Sequence, residues 1–577
     1  MKKALTLLCC ILIISAFSQT NIINTNPAAH QVLLGNYAPL NYQATVVLNQ
    51  PSDIINGIQA DINTDSLKQY LIDLSSFRNR NTGSDTVSTT EGIGAARRWV
   101  HSKFQEFSAA NENRLLPSYL QFDQIVCSMG QHKNVLAILP GMDASDNSII
   151  VIEAHMDSRC AGICDTACVA EGVEDNGSGT ALVIELARVM SKYSYNHTIV
   201  FMATTGEEQG LIGADAFADY CVQNNIPIRG VWNNDVVGGV ACGETSSPPS
   251  CPGLNHLDST SVRLFSQGGS NSKHKGLVRF IKLQYQEEVL PNVAVPMTIN
   301  IMSAEDRTNR SGDHIPFRQK GFTACRVTSA NEHGDASISA GYSDRQHTST
   351  DLLGMDFDGD NILDTFFVNF NYLARNCVIN GVSCGLAAIG PKNPSFNVDV
   401  IQYDKFAIEV TDHTQYDVYR VGLRSQSNDF DTLLTMNRSS DTILIPGNGL
   451  YYISLCSVDS NGVESLFERE YLKIVNTVAT AEQIEKPQNI KLLQNRPNPF
   501  DEATHISFVV ENAIDYDNAH ITIYTMSGRE LATIDTKVNQ GLNEIIYHHG
   551  FNAKEPLVYS LFIDGQLIAS KRMVFAY

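Results

Sequence analysis

Five short polar segments contain the imidazole and carboxylate groups that bind metal ions or activate water. They are His155 and Asp157 in His-Met-Asp, Asp175 in Glu-Asp-Asn-Gly-Ser-Gly, Glu207 and Glu208 in Thr-Gly-Glu-Glu-Gln-Gly, Asp235 in Asn-Asn-Asp, and His347 in Arg-Gln-His-Thr-Ser. Imidazole and carboxylate groups are zinc ligands. A zinc ion with fewer than four protein ligands keeps a coordination position open for water. Two histidines with several carboxylates therefore predict one or two zinc ions and a hydrolytic reaction.

Each segment taken alone has a simpler structural explanation. A histidine at a strand end is more often a hydrogen-bonded surface residue, Glu207 and Glu208 suit the acidic first turn of a helix, and Asp175 suits a helix N-cap. The chemical interpretation is favoured by position. Four of the five segments follow apolar strand-like runs, and the carboxyl ends of parallel strands converge at one edge of an open α/β sheet.

Spacing within the segments also suggests separate tasks. His155 and Asp157 are two residues apart on an extended chain, so both face the same way, and Asp157 is predicted to orient the imidazole of His155. Glu207 and Glu208 are adjacent and must point differently. One of them can then bind a metal ion while its neighbour acts on a water molecule.

The elements that must position these side chains have clear sequence patterns. Residues 134–139, 148–154 and 198–204 are short, apolar and rich in β-formers, which is typical of buried strands. Residues 180–193 have helical periodicity, and apolar positions from Ala96 to Phe107 predict a second amphipathic helix. Alternating strands and helices predict an α/β domain with a largely parallel sheet covered by helices.

In this order the motifs resemble those of the M28 family of zinc peptidases. The resemblance covers residues 61–385 and includes Arg-Asn-Arg-Asn-Thr-Gly-Ser at 78–84 and Ser-Gly-Asp-His-Ile-Pro-Phe at 311–317. It implies a three-layer zinc-exopeptidase fold, in which a mostly parallel mixed sheet lies between helices, and two Zn²⁺ ions per chain. Within the second motif, Asp313 and His314 are expected to line the substrate pocket, with helix capping as the alternative.

The resemblance also implies a role for each candidate residue. His155 and Asp235 would hold one zinc ion, Glu208 and His347 the other, Asp175 would bridge both, and Glu207 would be the general base. The implied reaction is hydrolysis of a peptide or protein substrate, with an aminopeptidase expected. The alternatives are a carboxypeptidase or glutaminyl cyclase of the same fold, or a non-enzymatic surface binding protein.

The cysteines and one acidic run lead to further expectations. Cys160, Cys164 and Cys168 lie between Asp157 and Asp175 and predict a disulfide-stapled loop at the rim of the site. The close pairs Cys242 with Cys251 and Cys377 with Cys384 are also expected to be local staples. The acidic run at 356–360 lacks glycine at the sixth position of an EF-hand loop, so a solvated loop is favoured over a calcium site.

The N-terminal part of the chain resembles a targeting sequence. Residues 1–18 combine two lysines, an apolar run and small residues near Ser18, which predicts a signal peptide and a secreted or cell-surface protein. Residues 19–60 are rich in Asn and Gln and suggest a leader or propeptide-like arm. No later run of about 20 apolar residues occurs, so no transmembrane segment is expected.

Two small all-β sandwich domains are predicted after the peptidase region. Short alternating strands at 395–477 resemble a fibronectin type III module. Residues 490–577 begin with Leu-Gln-Asn-Arg-Pro-Asn-Pro-Phe and contain Ile-Tyr-Thr-Met-Ser-Gly-Arg-Glu, which resembles a type IX secretion sorting domain. That resemblance implies the type IX secretion machinery as a partner.

Composition agrees with a folded, acidic, multidomain protein. The 577 residues include 41 Lys and Arg against 62 Asp and Glu, a formal charge of −21. An acidic chain is a poor partner for nucleic acid, since phosphate binding requires a basic surface. Apolar residues make up 43%, which is enough for several hydrophobic cores and excludes wholesale disorder.

Overall fold

The computed structural model describes most of the chain downstream of the predicted signal peptide. The described residues are 19–143, 145–243, 252–268, 272–307, 310–332, 345–360, 362–402, 404–412, 416–425, 427–447, 449–475, 490–511, 519–525, 530–549, 556–564 and 566–575. The signal peptide at 1–18 and Cys251 lie outside them. The α-helices in this part of the chain are α1 Pro27–Leu33, α2 Pro51–Ile54, α3 Thr64–Ser75, α4 Gly92–Ala110, α5 Ser178–Met190, α6 Ile212–Gln223, α7 Lys273–Gln284, α8 His314–Gln319 and α9 Phe370–Ile389.

The strands of the first domain alternate with these helices. They are β1 Thr20–Asn24, β2 Val46–Val47, β3 Leu116–Val126, β4 Met129–Leu139, β5 Ile149–His155, β6 Tyr193–Ser194, β7 Thr198–Thr204, β8 Ile228–Asn234, β9 Ser261–Phe265, β10 Thr298–Ile301, β11 Ala324–Ser329, β12 Gly354–Met355 and β13 Thr365–Phe366. The strands predicted at 148–154 and 198–204 are therefore confirmed. The predicted helix at 180–193 ends at Met190, because Tyr193 already belongs to β6.

Nine of these strands form one mixed sheet in the order β1-β3-β4-β7-β5-β8-β11-β9-β10. The four central strands β7, β5, β8 and β11 are mutually parallel, whereas β1, β3 and β4 are joined by antiparallel pairing at one side. Every residue of β5 and β7 is buried, as expected for central parallel strands covered on both faces.

Helices cover both faces of this sheet. Ile150 and Ile152 of β5 belong to a core shared with α3, α4, α5, α7 and α9, whereas Ile149 and Val151 belong to a second core with α1, α6 and α8. This alternation follows from the two-residue period of a strand. The predicted three-layer α/β architecture is confirmed. Within the described residues, no helix has the length and apolar character needed to cross a bilayer.

Residues 19–60, suggested above as a leader or propeptide-like arm, pack against the α/β domain. Strand β1 pairs with β3 at the edge of the main sheet, and Val32 and Leu33 of α1 are buried in the second core. Ile54 and Ile58 are buried in the first core. These few apolar residues are spaced widely among Asn and Gln, so they produce no clear periodicity in the sequence although they pack against the domain.

Two small β domains follow, each with its own hydrophobic core. The strands of the first are β14 Phe396–Gln402, β15 Lys405–Val410, β16 Val418–Arg424, β17 Thr432–Met436, β18 Ser440–Leu444, β19 Gly449–Val458 and β20 Tyr471–Val475. Those of the second are β21 Ile490–Leu492, β22 Ala503–Val510, β23 Ala519–Thr525, β24 Glu530–Thr536, β25 Gly541–His548, β26 Leu557–Ile563 and β27 Gln566–Met573.

Both β domains have the same strand arrangement. The first contains the sheets β14-β15-β18 and β17-β16-β19-β20, and the second contains β21-β22-β25 and β24-β23-β26-β27. In each domain the first, second and fifth strands therefore form one sheet, and the remaining four form the other. The prediction of small all-β domains after the α/β domain is confirmed.

The cysteines are paired differently from the sequence expectation in two places. Cys160 bonds to Cys168 within the predicted loop, but Cys164 bonds to Cys127, which had no close partner in sequence. Cys377 and Cys384 are free and buried in α9, so they are not a staple. Their side chains serve as small apolar groups of the helix core, a common role for buried cysteine.

Candidate metal centre

The parallel strands β7, β5 and β8 deliver the candidate side chains to one edge of the sheet. His155 is the last residue of β5 and lies opposite Thr204, the last residue of β7. Thr205 and Gly206 separate the end of β7 from Glu207 and Glu208, and Asp235 directly follows β8. The carboxyl ends of neighbouring parallel strands share an edge, so the predicted convergence of these residues is present.

Two imidazole groups approach the two oxygens of one carboxylate. Nε2 of His155 lies 3.3 Å from Oδ1 of Asp175 and 3.5 Å from Oδ1 of Asp235. Nε2 of His347 lies 3.0 Å from Oδ2 of Asp175 and 3.1 Å from Oε2 of Glu208. Asp175 therefore lies between two groups of side chains, each with one imidazole and one further carboxylate.

The backbone around Asp175 is held by two side chains. The carboxylate of Asp351 accepts the backbone N–H groups of Glu174 and Asp175, each at 3.0 Å. Asn176 donates its side-chain amide to the Asn234 carbonyl at 2.8 Å and accepts the N–H of Gly179. Residue 179 must be glycine, because a Cβ there would lie 2.2 Å from the Asn234 carbonyl oxygen.

Asp157 acts on the neighbouring turn more directly than on the imidazole. Nδ1 of His155 lies 3.1 Å from the backbone oxygen of Asp157 and 3.7 Å from the nearer carboxylate oxygen. The carboxylate of Asp157 instead accepts the backbone N–H groups of Glu207 and Glu208, both at 3.3 Å. The main-chain carbonyl of Asp157 is therefore nearer to the imidazole than its carboxylate is, and Nε2 is left facing the other carboxylates.

Two arginines complete the cluster, and sequence reasoning missed both. Arg159 donates from Nε to Oε2 of Glu208 at 2.7 Å, and its Nη2 lies 2.6 Å from Nδ1 of His347. Arg326 of β11 places Nη2 3.1 Å from Oδ2 of Asp235. The available sequence signals were weak: Arg159 follows Asp157 by two residues, and Arg326 lies in a short stretch of small and β-forming residues.

Burial and mutual proximity shift the pKa values of the cluster. Burial lowers the pKa of His155, but the charge of Glu207 and contacts with three aspartates outweigh burial and hold it well above its usual range. Burial raises the pKa of Asp175, but the two histidines outweigh burial and hold it well below the usual range. Burial raises the pKa of Glu207 well above its usual range, and Asp235 and Glu208 raise it further.

A cavity of about 250 Å³ opens above these residues. The described residues that line it are Arg159, Asp175, Glu207, Glu208, Gly210, Asp235, Arg307, Arg310, Ser311, Arg326, Gln346 and His347. Asp313 and His314 were expected to line the pocket, but both are fully buried and neither is among the described residues that line it. Asp313 accepts the hydroxyl of Thr204 at 2.5 Å, and its side chain makes no capping hydrogen bond to α8.

The residues of the acidic loop at 356–360 are not among the described residues that line this cavity. Side-chain oxygens of Asp356, Asp358 and Asp360 lie within 4.8 Å of one another, and the last two residues are exposed. Asp356 accepts the N–H of Gly359 at 2.7 Å, and Asp360 accepts the N–H of Ile362 at 2.8 Å. The solvated acidic loop stays a prediction.

The cluster has the donor set and the unsatisfied atoms expected of a zinc site. Ligand atoms of His155, Glu207 and Asp235 lie within 4.8 Å of one another, and so do those of His155, Asp175 and Glu208. Among the described residues, Nε2 of His155 and Oε1 of Glu208 are buried without a hydrogen-bond partner. Buried polar atoms normally have partners, so these residues fit divalent metal ions.

Comparisons with known proteins agree with this geometry. The model of peptidase family M28 matches residues 134–365. A probable zinc metalloprotease of Phaeosphaeria nodorum is 32% identical over 309 residues, which cover 49% of this chain and 61% of that protein. A probable zinc metalloprotease of Leptosphaeria maculans is 30% identical over 369 residues, which cover 61% of this chain and 81% of that protein.

Among solved structures, the chain is similar to the LapA aminopeptidase of Legionella pneumophila. The identity is 17% and the TM-score 0.42, with 61% of this chain and 78% of that chain covered. The match to the family model extends across β5, β7 and β8 and the residues that follow them, and it includes His155, Glu208 and Asp235. The chain belongs to peptidase family M28.

Proposed function

We propose that this protein is a secreted zinc-dependent exopeptidase, an aminopeptidase that releases N-terminal residues with the help of two zinc ions. The observation that carries the proposal is the position of Asp175, whose two oxygens face His155 and His347 at 3.3 and 3.0 Å. A carboxylate flanked in this way is suited to bridge two cations. Metal pairs about 3.5–4 Å apart are common in aminopeptidases and other hydrolases.

Five residues would hold the two ions. His155 and Asp235 would bind one ion, Glu208 and His347 would bind the other, and Asp175 would bind both. When bound, zinc lowers the pKa of water to about 7 and polarises the scissile carbonyl group.

Glu207 is the proposed general base and acid. Its side chain lines the cavity, and Asp157 fixes the backbone that carries it. Removal from water raises the pKa of Glu207, which favours its holding a proton between the two half-reactions. Glu207 would accept a proton from the attacking water and then deliver it to the leaving amine.

The size of the cavity supports an exopeptidase. Its volume of about 250 Å³ lies just below the roughly 300–1,000 Å³ typical of small-molecule sites. Such a cavity suits one or two residues at a chain end rather than the middle of a long peptide. The choice of the N-terminus follows the M28 resemblance, with a carboxypeptidase or glutaminyl cyclase as alternatives.

The proposal also covers location. Residues 1–18 would direct export and be removed, and the C-terminal β domain would be recognised by the type IX secretion machinery. In the domain that precedes it, the three-stranded and four-stranded sheets agree with a fibronectin type III module. The disulfides Cys127–Cys164 and Cys160–Cys168 suit an oxidising compartment.

The test uses the full-length protein loaded with zinc and two peptides that differ only in an N-acetyl group. Stepwise loss of residues from the free N-terminus, followed by mass spectrometry and blocked by acetylation or a chelator, is the expected result. Loss from the C-terminus of both peptides would instead indicate a carboxypeptidase. Cyclisation of an N-terminal Gln without cleavage would indicate a cyclase, and no reaction would contradict an enzymatic role.

A further inference from the structure

A second cavity lies in the α/β domain, separate from the candidate metal centre. Its volume is about 460 Å³, within the range of roughly 300–1,000 Å³ typical of small-molecule sites. None of the described residues that line it also lines the cavity above the proposed metal ligands. Eight of its thirteen described lining residues have aliphatic or thioether side chains, and a mainly apolar lining is typical of a binding pocket.

Three segments of the fold build this cavity. Helix α9 contributes four lining residues at helical spacing, namely Asn371, Ala374, Arg375 and Val378. The chain between α7 and β10 forms a second wall, in which the hydroxyl of Tyr285 accepts the backbone N–H of Met297 at 2.6 Å. Gln59 and Ile62, which lie just before α3, complete the lining. The cavity is therefore shaped by contacts within the fold itself.

Arg375 gives the cavity a positive charge. Its Nη2 donates to the Ser259 carbonyl oxygen at 2.6 Å, and its Nε is buried without a hydrogen-bond partner among the described residues. Nη1 donates to no described residue and is not among the buried atoms, so a ligand can reach it. Burial lowers the pKa of Arg375, and the groups that counteract burial are Tyr372 and Tyr285.

The carboxylates of the neighbouring segments do not neutralise this charge. Glu287 and Asp61 are paired with basic residues of other elements, and Asp258 accepts backbone N–H groups. Glu288 is not among the described residues that line the cavity, and no described carboxylate forms a salt bridge with Arg375. A partly buried cation without a counter-ion is unfavourable, so an anionic ligand group would stabilise the site.

Amide side chains provide the other polar groups of the lining. Gln59, Asn292 and Asn371 line the cavity, and Oε1 of Gln59 is buried without a hydrogen-bond partner among the described residues. A side-chain amide has both donors and an acceptor, as a peptide group does, so the two can pair. A hydrocarbon chain cannot form such hydrogen bonds. The lining therefore favours a peptide over a fatty acid.

We propose that this cavity is a second peptide site, which binds a short peptide with apolar side chains and a free C-terminal carboxylate. Arg375 would bind the carboxylate, the aliphatic residues would contact the side chains, and the amides of Gln59 and Asn371 would pair with the peptide backbone. The site is additional to the proposed catalytic function and uses none of its residues.

The experiment measures binding to the zinc-loaded full-length protein by titration calorimetry. The ligands are N-acetyl-Val-Leu, the same peptide with a C-terminal amide, and decanoate, which has a carboxylate but no peptide group. Acetylation protects both peptides from the proposed aminopeptidase. We expect the acid to bind about 10–100-fold more tightly than the amide, the effect of a charge-assisted hydrogen bond. Decanoate should bind more weakly than the acid.

Substitution of Arg375 then tests where the carboxylate binds. Arg375→Gln should weaken binding of the acid by about 10–100-fold and leave the affinity for the amide unchanged, whereas Arg375→Lys should retain part of the preference. Arg318→Gln is the matched control, because Arg318 lies on α8, outside this cavity, and contacts Glu305 at 2.7 Å. Its affinity for both peptides should equal that of the unchanged protein.

A second pair of variants leaves Arg375 in place. Val295 lines the cavity and is exposed, so its replacement does not disturb a core. Val295→Asp adds a negative charge and should weaken binding of the acid by about 2–5-fold relative to Val295→Asn, the range of one surface charge interaction. Equal binding of the acid by these two variants would contradict a carboxylate held in this cavity.

Three further results would overturn the proposal. Equal affinities of the unchanged protein for acid and amide would reject recognition of the carboxylate. An unchanged affinity of Arg375→Gln for the acid would place the peptide elsewhere, including at the metal centre. Decanoate binding as tightly as the acid would assign the cavity to a fatty acid instead. The readout is binding rather than cleavage, so the proposed peptidase function is tested separately.

Discussion

Glu207 and Glu208 are adjacent in the chain, but their carboxylates have different surroundings. Oε2 of Glu208 lies 3.1 Å from Nε2 of His347 and accepts a hydrogen bond from Arg159 at 2.7 Å. The side chain of Glu207 instead faces the cavity, where its pKa is raised. The same two-residue turn thus supplies one proposed metal ligand and one proposed base.

Replacement of either glutamate should separate these roles. Glu207→Gln keeps the shape of the side chain but cannot accept a proton, so turnover should fall by about 10²–10⁴-fold while two zinc ions stay bound. Glu208→Gln is the matched variant and should lose zinc. Metal analysis and peptide hydrolysis measure the two effects. Zinc loss in Glu207→Gln, or full turnover by that variant, would contradict the assignment of the base.

At the scale of elements, the site depends on a connection between two loops. Asp351 lies four residues after His347 and accepts the backbone N–H groups of Glu174 and Asp175. Burial raises the pKa of Asp351 to about 7, and the hydrogen bonds from these two amides lower it in part. The loop that carries His347 is thereby attached to the loop that carries Asp175.

Asp351→Asn should therefore weaken zinc binding without removing a ligand. The amide retains one acceptor oxygen in place of two, so one of the two backbone amides loses its partner. Loss of such supporting contacts typically reduces metal affinity by about 10–100-fold. Competition with a chromophoric chelator measures this loss. Asp358→Asn, on an exposed residue of the following loop, is the control. Equal zinc affinity in both variants would contradict the role of Asp351.

Helix α7 contributes a pH-dependent part of the stability through His274. Its Nδ1 accepts the backbone N–H of Ala324 at 3.1 Å, and burial lowers its pKa to about 4, with Lys273, Arg318 and His314 as nearby cationic or titratable groups. The folded state therefore requires the neutral imidazole. The unfolded chain, with a pKa of about 6.5, binds a proton at a higher pH than the folded protein does.

We expect the free energy of unfolding to fall as the pH decreases from about 6.5 to 4. The contribution of His274 is about 1.4 kcal/mol per pH unit, up to about 3 kcal/mol. Above pH 6.5 both states are neutral at this residue, so it adds no pH dependence. Urea unfolding of the unchanged protein and of His274→Gln measures the difference. Identical pH slopes for the two proteins would contradict this prediction.

Sequence patterns predicted the elements with strong periodicity and missed contacts between distant segments. The apolar strands β5 and β7 and the polar residues at their ends were predictable, because burial on both faces and position after a strand are local signals. Three contacts could not be predicted from the sequence. They are the disulfide between Cys127 and Cys164, the contact of Arg159 with His347, and the hydrogen bonds of Asp351 to the loop of Asp175. Each joins segments at least 37 residues apart and depends on the tertiary fold.

On the scale of the whole molecule, the first β domain is attached firmly to the α/β domain. Val463 and Leu466, which lie between β19 and β20, are buried in the core that contains α7 and α9. Leu283 of α7 packs against Cys456 and Phe467 in a separate small cluster. Buried Arg279 also pairs with Glu470 at 3.1 Å. Apolar contacts and a buried ion pair together stabilise this interface.

The second β domain makes fewer described contacts with the rest of the molecule. Nε2 of His505 lies 2.7 Å from the Ser303 carbonyl oxygen, and the guanidinium of Arg496 lies 4.7 Å from the ring centre of Tyr452. Both contacts are polar or partly polar. Their loss would expose groups that water can solvate.

Truncating the chain after residue 475 and after residue 394 should therefore have opposite effects on solubility. Residues 19–475 should remain soluble and retain zinc, because only the second β domain is lost. Residues 19–394 should aggregate, because Arg279 loses its partner, at about 3–5 kcal/mol, and the core loses Val463 and Leu466. Solubility and thermal melting test both forms. Equal melting temperatures for the two would contradict a shared core.

The core shared by the α/β domain and the first β domain also determines how late in synthesis the protein can complete its folding. Its members range from Leu48 to Leu466, so the first 466 of the 577 residues must be synthesised before every side chain of that core is present. Contacts between distant segments form late, because closing a long loop costs conformational entropy before the energy of the contact compensates for that cost. We therefore expect the edge of the sheet that carries His155 and Glu207 to become rigid only when synthesis is nearly complete. This delay would keep a hydrolase inactive while it is still attached to the ribosome.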